Sequence, residues 1–491
     1  MDLFDSLDIN GMTVPNRVVV PAMVTRLSGE DGKVNDSILE RYVRYAQGEV
    51  GLIVAEAMAI HGGKAGPLLR ISDDSFIPGL SELARRVHAA SDSKIVPQII
   101  HFMKVARTGW RQTFDMLSEA DLELIIEQFG DAAVRARQAG FDGIELHAAH
   151  AYTLSTSLSR VNPRRDAYDG RSLEGRLLMF GQVMANVRGK VGADFPVGVR
   201  FNADEFIRGG YTVEDSKLMA LRMAQLGVDF ISLSVGGKFE DAVHTPGKVL
   251  HGYTGYSGDR CMPGIGYPAL PHIAMMAEIK AFINAKGYRV PVIGAGKIAD
   301  PDDARRIISE EKLDLVAIAR GLLADPDWPK KVRRGEADRI VHCDYCNVCK
   351  QLDGDHKEVI CALWPKGARQ APSDQPAGAA PAWGADRGGL SVELADGAAR
   401  LEWHESQGEP VCYYIYRTDD GGPARRIEAL KGTHWVDRTV FAGTRYDFHV
   451  RAQDAVGRTS PPSNTVTVTA KVPTYGGHPA SVIAQLSGGG A

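Results

Sequence analysis

Four of the six cysteines of this 491-residue chain fall within 19 residues, as Cys343-x2-Cys346-x2-Cys349-x11-Cys361. Thiolates are soft ligands, and four at this spacing form the ligand set of a cubane 4Fe-4S cluster or of one tetrahedral zinc. CxxC pairs serve both metals, so spacing alone leaves the two open. Cys261 and Cys412 lie far from the segment and read as buried, inert thiols. A second constellation is His147-Ala148-Ala149-His150-Ala151-Tyr152. Two imidazoles three residues apart either chelate a metal or donate hydrogen bonds to an oxygen atom of a substrate.

These residues must be positioned by something, and the chain repeats one phrase that could do it: an amphipathic helical stretch, a glycine stop, then a short β-branched run. Ala139-Gly140-Phe141-Asp142 leads into Gly143-Ile144-Glu145-Leu146, and Leu226-Gly227-Val228-Asp229 into Phe230-Ile231-Ser232-Leu233. In one helix Ser118 and Asp121 cap the start, Leu122, Ile125, Ile126, Phe129 and Ala133 share a face, and Gly140 ends it. Strands are expected at 17–22, 52–56, 95–100, 142–147, 196–201, 229–234, 290–294 and 314–319, each followed by a helical pattern. Eight such units predict an α/β fold, a closed (β/α)8 TIM barrel, with its chemistry at the C-terminal strand ends. Those ends carry Pro21-Ala22-Met23, Glu56-Ala57, Gln98, His101, His147, His150, Arg200, Ser234 to Gly237, Gly294 to Lys297, and Arg320-Gly321. Gln98 offers an amide donor and acceptor together, as a pyrimidine edge requires, and Arg200 offers a fixed positive charge to an electron-rich ring. Gly294-Ala295-Gly296-Lys297 and Ala319-Arg320-Gly321 end the last two strands, where barrels hold phosphate with backbone N–H groups. A ligand with an aromatic ring and a phosphate satisfies all of these.

Composition removes other classes. Hydrophobic residues make up 44% and charged residues 24%, as in ordinary folded chains. The formal net charge is −4, and no Lys/Arg run is dense enough to track phosphates, which argues against nucleic acid as a partner. The first residues are acidic where a secretory signal is basic, and no run of about 18 apolar residues could cross a bilayer, so a cytoplasmic protein without a membrane partner is expected. Between Gly367 and Gly389, 15 of 23 residues are Gly, Ala or Pro, which predicts a flexible linker. The expected organisation is a barrel over 1–340, a metal segment over 341–366, that linker over 367–389, a small all-β domain over 390–470 and a flexible tail over 471–491. In the small domain Tyr413-Tyr414-Ile415-Tyr416-Arg417 and Tyr446-Asp447-Phe448-His449-Val450-Arg451-Ala452 alternate with period two around Gly/Asp turns. With Trp403, Tyr446 and Ser463 to Val468 it resembles a fibronectin type III sandwich.

Taken together, Asn16-Arg17 before Pro21-Ala22-Met23, Gly51 to Ala57, Gln98-Ile99-Ile100-His101, Gly143 to Tyr152, Arg165 to Tyr168, Ser172 to Arg176, Arg200 and Arg320 resemble the old yellow enzyme family of FMN-dependent oxidoreductases. The resemblance runs from about Leu3 to Gly367. The cysteine set places it near the iron–sulfur subgroup that includes 2,4-dienoyl-CoA reductase and trimethylamine dehydrogenase, which favours a 4Fe-4S cluster on Cys343, Cys346, Cys349 and Cys361 over zinc. The resemblance implies that Pro21, Ala22, Met23, Ala57, Gln98 and Arg200 contact the isoalloxazine of FMN, while Gly296, Lys297, Ala319 and Arg320 hold its phosphate. It also implies that His147 and His150 bind the carbonyl or amine of a small-molecule substrate and that Tyr152 donates a proton. The expected reaction is ping-pong ene reduction: NAD(P)H reduces FMN, which passes hydride to the β-carbon of an activated C=C bond of an enone or enoyl compound. An amine dehydrogenase discharging electrons through the cluster is the alternative, and a barrel hydrolase or binding protein using the sandwich module a remote one. An electron-transfer protein and a second copy of the chain are the expected macromolecular partners.

Overall fold

A computed structural model describes residues 1–63, 66–104, 112–236, 258–373, 379–395 and 397–470. The chain divides into two compact units, 1–374 and 375–491. The expected tail over 471–491 lies outside the described residues.

The first unit is an eight-stranded closed barrel of parallel strands. In chain order the strands are β1 (Val18–Val20), β2 (Leu52–Ala59), β3 (Lys94–Ile100), β4 (Ile144–Ala148), β5 (Val197–Asn202), β6 (Phe230–Ser234), β7 (Val292–Ala295) and β8 (Leu315–Ala317). Each pairs with the next, and β8 closes on β1 through Val316 opposite Val18. All eight fall on the predicted runs. They are short and apolar because parallel strands are covered on both faces: every residue of β2, β4, β5 and β6 is buried.

Helices between the strands supply the outer layer. The helix Glu119–Gln138 begins with the predicted reciprocal cap, the Ser118 side chain accepting from the Asp121 N–H and Asp121 accepting from the Ser118 N–H. Leu122, Ile125, Phe129 and Ala133 are buried against the barrel, whereas Ile126 is only half-buried at the edge of the stripe. Gly140 then adopts φ 83°, the left-handed turn that lets the chain reverse into β4. Among the described residues no helix is long and apolar enough to cross a membrane.

The second unit contains a three-stranded antiparallel sheet (Ser391–Ala395, Ala398–Glu402, His434–Asp437) and a four-stranded one (Arg425–Leu430, Cys412–Asp419, Arg445–Gln453, Val466–Thr469). Leu401, Trp403, Tyr413, Ile415, Tyr446, Phe448 and Val450 form its core. The Phe441 N–H donates to the Tyr446 hydroxyl at 2.8 Å, tying that ring to the turn before its strand. Within the expected flexible linker, 367–389, Gln370 accepts from Arg41 and donates to the Ser37 carbonyl, and Trp383 stacks on Tyr413 with centroids 6.1 Å apart.

Candidate active site

A cavity opens at the C-terminal ends of the barrel strands, with an empty volume of about 1100 Å³. All ten residues expected to contact the cofactor line it: Pro21, Ala22, Met23, Ala57, Gln98, Arg200, Gly296, Lys297, Ala319 and Arg320. His147 and His150 line it as well. Strands diverging from a barrel rim necessarily converge their last residues on one space, and this is how positions almost 300 residues apart meet.

One end of the cavity is polar and rigid. The Gln98 amide donates to Glu145 at 2.6 Å, and Arg200 donates to the Ser232 and Ser234 hydroxyls at 3.1 and 3.4 Å. Burial pushes the Glu145 carboxyl up, against the opposing pull of Arg200 and Gln98. An amide and a guanidinium so fixed present hydrogen-bonding groups and one positive charge without rotational freedom.

The other end is cationic. After β7 the chain turns through Gly296 (φ 146°) and Lys297 (φ 49°), and a Cβ on Gly296 would press within 3.1 Å of His272. Only glycine fits that turn. The Lys297 ammonium lies 4.5 Å and the Arg320 guanidinium 4.9 Å from the ring centroid of Tyr345, which also lines the cavity. Arg320 donates further to Asn347, whose amide reaches the Met262 carbonyl at 3.0 Å.

The His147-to-Tyr152 turn is strained: His150 and Ala151 both hold left-handed backbone, φ 59° and 54°. The strain folds the turn back over the barrel mouth, and the His147 and His150 rings meet edge to face with centroids 5.2 Å apart. Burial, reinforced by His150 and Arg200, pushes the His147 imidazole well below its ordinary range, so it is neutral. Its Nδ1 accepts the Ala149 N–H at 3.2 Å, which places the ring proton on Nε2. Tyr152 is placed differently. It stands behind His147, centroids 5.0 Å apart, buried against Ala57 and Ile100 and outside the cavity wall proper.

The cysteine segment packs onto the same cavity. Cys349 lines it, and Cys349 and Cys361 pack against the cluster of Leu323, Val359 and Trp364. The loop alternates left-handed residues, Tyr345 (φ 56°) and Asn347 (φ 60°), before the short helix Val348–Gly354. The Tyr345 and Leu363 N–H groups point at the Cys343 and Cys361 sulfurs at 3.3 and 3.5 Å. Among the described residues no three His, Cys, Asp or Glu side chains converge closely enough to hold a metal ion.

Cys261, expected to be buried and inert, is instead a partly exposed wall residue of the cavity, 3.2 Å from His150 Nε2. Ser234, expected at a strand end, bonds the same nitrogen at 2.7 Å. Cys261 carries no local pattern, since the barrel brings it in. Cys412, by contrast, is buried in the second unit as expected.

Comparison with known proteins adds the rest. The sequence pattern of the NADH:flavin oxidoreductase / NADH oxidase family matches residues 2–116, 102–253 and 272–339. An NADH oxidase of Thermoanaerobacter brockii is 34% identical over 371 residues, 71% of this chain and 53% of that protein. A metal reductase of Desulforamulus reducens is 31% identical over 92% of this chain and 67% of its own length. A cinnamate reductase of Clostridium sporogenes is 27% identical over 75% of this chain and 58% of its own. The chain thus spans about half to two thirds of the length of these curated relatives. The solved 2-naphthoyl-CoA reductase shares the fold, with a TM-score of 0.64, 24% identity and coverage of 78% of this chain and 60% of that one. By the extent of the matched pattern and the barrel that carries it, this chain belongs to the NADH:flavin oxidoreductase / NADH oxidase family.

Proposed function

We propose that the protein is an FMN-dependent ene-reductase that takes electrons from NAD(P)H and reduces activated C=C bonds. The observation that carries this reading is that one cavity brings a fixed amide and guanidinium at one end together with Lys297 and Arg320 at the other. That donor set matches a flavin pyrimidine and a phosphate, so Gln98 and Arg200 would hold the ring and Gly296, Lys297, Ala319 and Arg320 the phosphate end. Bound there, FMN would supply hydride transfer between nicotinamide and alkene.

The chain's own residues do the remaining work. His147, neutral with its proton on Nε2, donates a hydrogen bond to the carbonyl oxygen that activates the alkene, and His150 borders the same space. Tyr152, whose ring packs on His147 behind the cavity wall, is assigned the α-carbon proton on the old yellow enzyme resemblance. The apolar part of the wall, Ala22, Met23 and Ala57, excludes water from the reacting atoms.

The four cysteines favour a 4Fe-4S cluster over zinc in this reading. Four cysteines beside a flavin-type cavity, with Cys349 on its wall and backbone N–H groups aimed at the Cys343 and Cys361 sulfurs, support an electron-carrying centre. A cluster there would pass single electrons between this site and an electron-transfer protein. The second unit, with three- and four-stranded sheets and the Tyr446 hydroxyl tied to Phe441, supports a fibronectin type III-like interaction module.

The test is an anaerobic assay with two substrate classes. NAD(P)H oxidation that depends on cinnamaldehyde or 2-cyclohexenone is the expected result. Reduction of an artificial acceptor driven by a simple amine without NAD(P)H would replace this reading with the amine dehydrogenase one.

A further inference from the structure

The mechanism above leaves one nucleophile on the cavity wall without a task. The Cys261 thiol ends the short helix Gly258–Cys261, and its place is fixed from both sides. The Arg260 carbonyl accepts from His272 Nε2 at 2.7 Å, and the Met262 carbonyl accepts from the Asn347 amide at 3.0 Å. Between these pins the sulfur stands 3.2 Å from His150 Nε2 and 3.6 Å from the Ser234 hydroxyl. Ser234 in turn accepts from Arg200 and bonds His150 Nε2. A hydrogen-bonded chain, Arg200 to Ser234 to His150 to Cys261, therefore ends on a sulfur that faces the cavity. His150 Nε2 is shared between the thiol and the Ser234 hydroxyl, which leaves a thiol within proton-transfer reach of a base, the core of an activated nucleophile.

We propose that Cys261, paired with His150, is a second reactive centre of this cavity and captures soft electrophiles of the α,β-unsaturated carbonyl class by conjugate addition. The substrate class rests on the proposed ene-reductase reading; the reactivity of the thiol does not. In the step, the Cys261 sulfur forms a bond to the β-carbon as the C=C π bond breaks. The electron pair moves to the α-carbon, which takes the proton that His150 received from the thiol. No oxidant or reductant is consumed, and reversal releases the alkene unchanged. The consequence is self-limitation: an activated alkene that enters before the cofactor is reduced is held on Cys261 instead of being turned over.

The surroundings favour the thiolate. Burial alone would push the thiol up, but the His150 imidazole, the Arg200 guanidinium and the Ser234 hydroxyl outweigh it and bring it down to about 6. The other titratable or charged groups packed around this corner are His147, whose ring meets that of His150, Arg260 beside the cysteine in the chain, and His272. The thiolate fraction, and with it the rate of addition, rises with pH through about 6 and levels off above it.

The experiment treats the purified full-length protein with N-ethylmaleimide, itself an activated alkene, in the absence of NAD(P)H, and maps the label by peptide mass spectrometry across pH. The expected result is that the Cys261 peptide is alkylated well before the buried Cys412 peptide, with a midpoint near pH 6. His150→Gln should move that midpoint up towards the ordinary thiol value of about 8.5, and C261S should remove this label and leave the others. Labelling of the wild-type protein needs no variant to fold. A Cys261 peptide that stays unlabelled, or one that reacts with a midpoint already near 8.5 in the wild type, overturns the proposal. If the label appears but no enone supports NAD(P)H oxidation, the thiol centre stands and the ene-reductase reading falls.

Discussion

Tyr152→Phe is expected to slow the reduction of an activated alkene by about 10²- to 10⁴-fold, the usual worth of one positioned proton donor. The substitution keeps the ring that packs against Ala57 and Ile100, so the barrel rim should be undisturbed and only the hydroxyl lost. Oxidation of NAD(P)H by an artificial acceptor such as ferricyanide should be unchanged, because it needs no proton from this side chain. Separate measurement of the two half-reactions decides the matter. Equal loss in both would show that Tyr152 shapes the site through His147, 5.0 Å away, and is not the donor.

Lys331→Met should cost about 3–5 kcal/mol of stability, the usual price of stranding one partner of a buried ion pair. Lys331 and Asp325 are almost wholly buried, 2.8 Å apart. Asp325 also accepts the Val341 N–H at 2.8 Å, and Lys331 donates to the Arg339 carbonyl at 2.9 Å. The pair therefore sets the path of the chain from the end of the barrel to Cys343. Methionine keeps the length of the side chain but leaves the Asp325 carboxylate unpaired. The double variant Asp325→Asn with Lys331→Met should recover most of the loss, since neither member is then a buried charge. Denaturant unfolding of the three proteins checks this. A single variant as stable as the parent would mean that water reaches the pair.

The same pair shows where sequence reading stops. The barrel was legible because each unit repeats one local phrase, as in Gly140 ending a helix and Ile144 to Leu146 starting a buried strand. Gln98, Arg200, Lys297 and Arg320 were legible as a site because a closed barrel forces strand ends together, whatever their distance in the chain. Cys261 was not: its significance depends on His150 and Ser234, 111 and 27 residues away, and nothing around it in sequence records either neighbour. Tyr345 was passed over for the same reason, its ring being placed by two cations from other loops. The cysteine spacing points to a metal site, whereas the place of Cys349 on the cavity wall is a property of the fold alone.

The electrostatics of the cavity follow a single plan. Burial keeps His147 neutral and pushes the Glu145 carboxyl up against the pull of Arg200, whose guanidinium stands as the fixed cation of the polar end. A neutral donor beside a fixed cation is suited to an electron-rich ring at one side and a polarised carbonyl at the other.

The measurement closest to the centre of this account is the visible absorption spectrum of the purified protein, taken before and after incubation with FMN, with the flavin released by acid and quantified. A yellow protein carrying one FMN per chain is expected, with loss of that flavin when Arg320 and Lys297 are both replaced by alanine. A colourless protein that takes up no FMN would contradict it, whatever else the barrel binds.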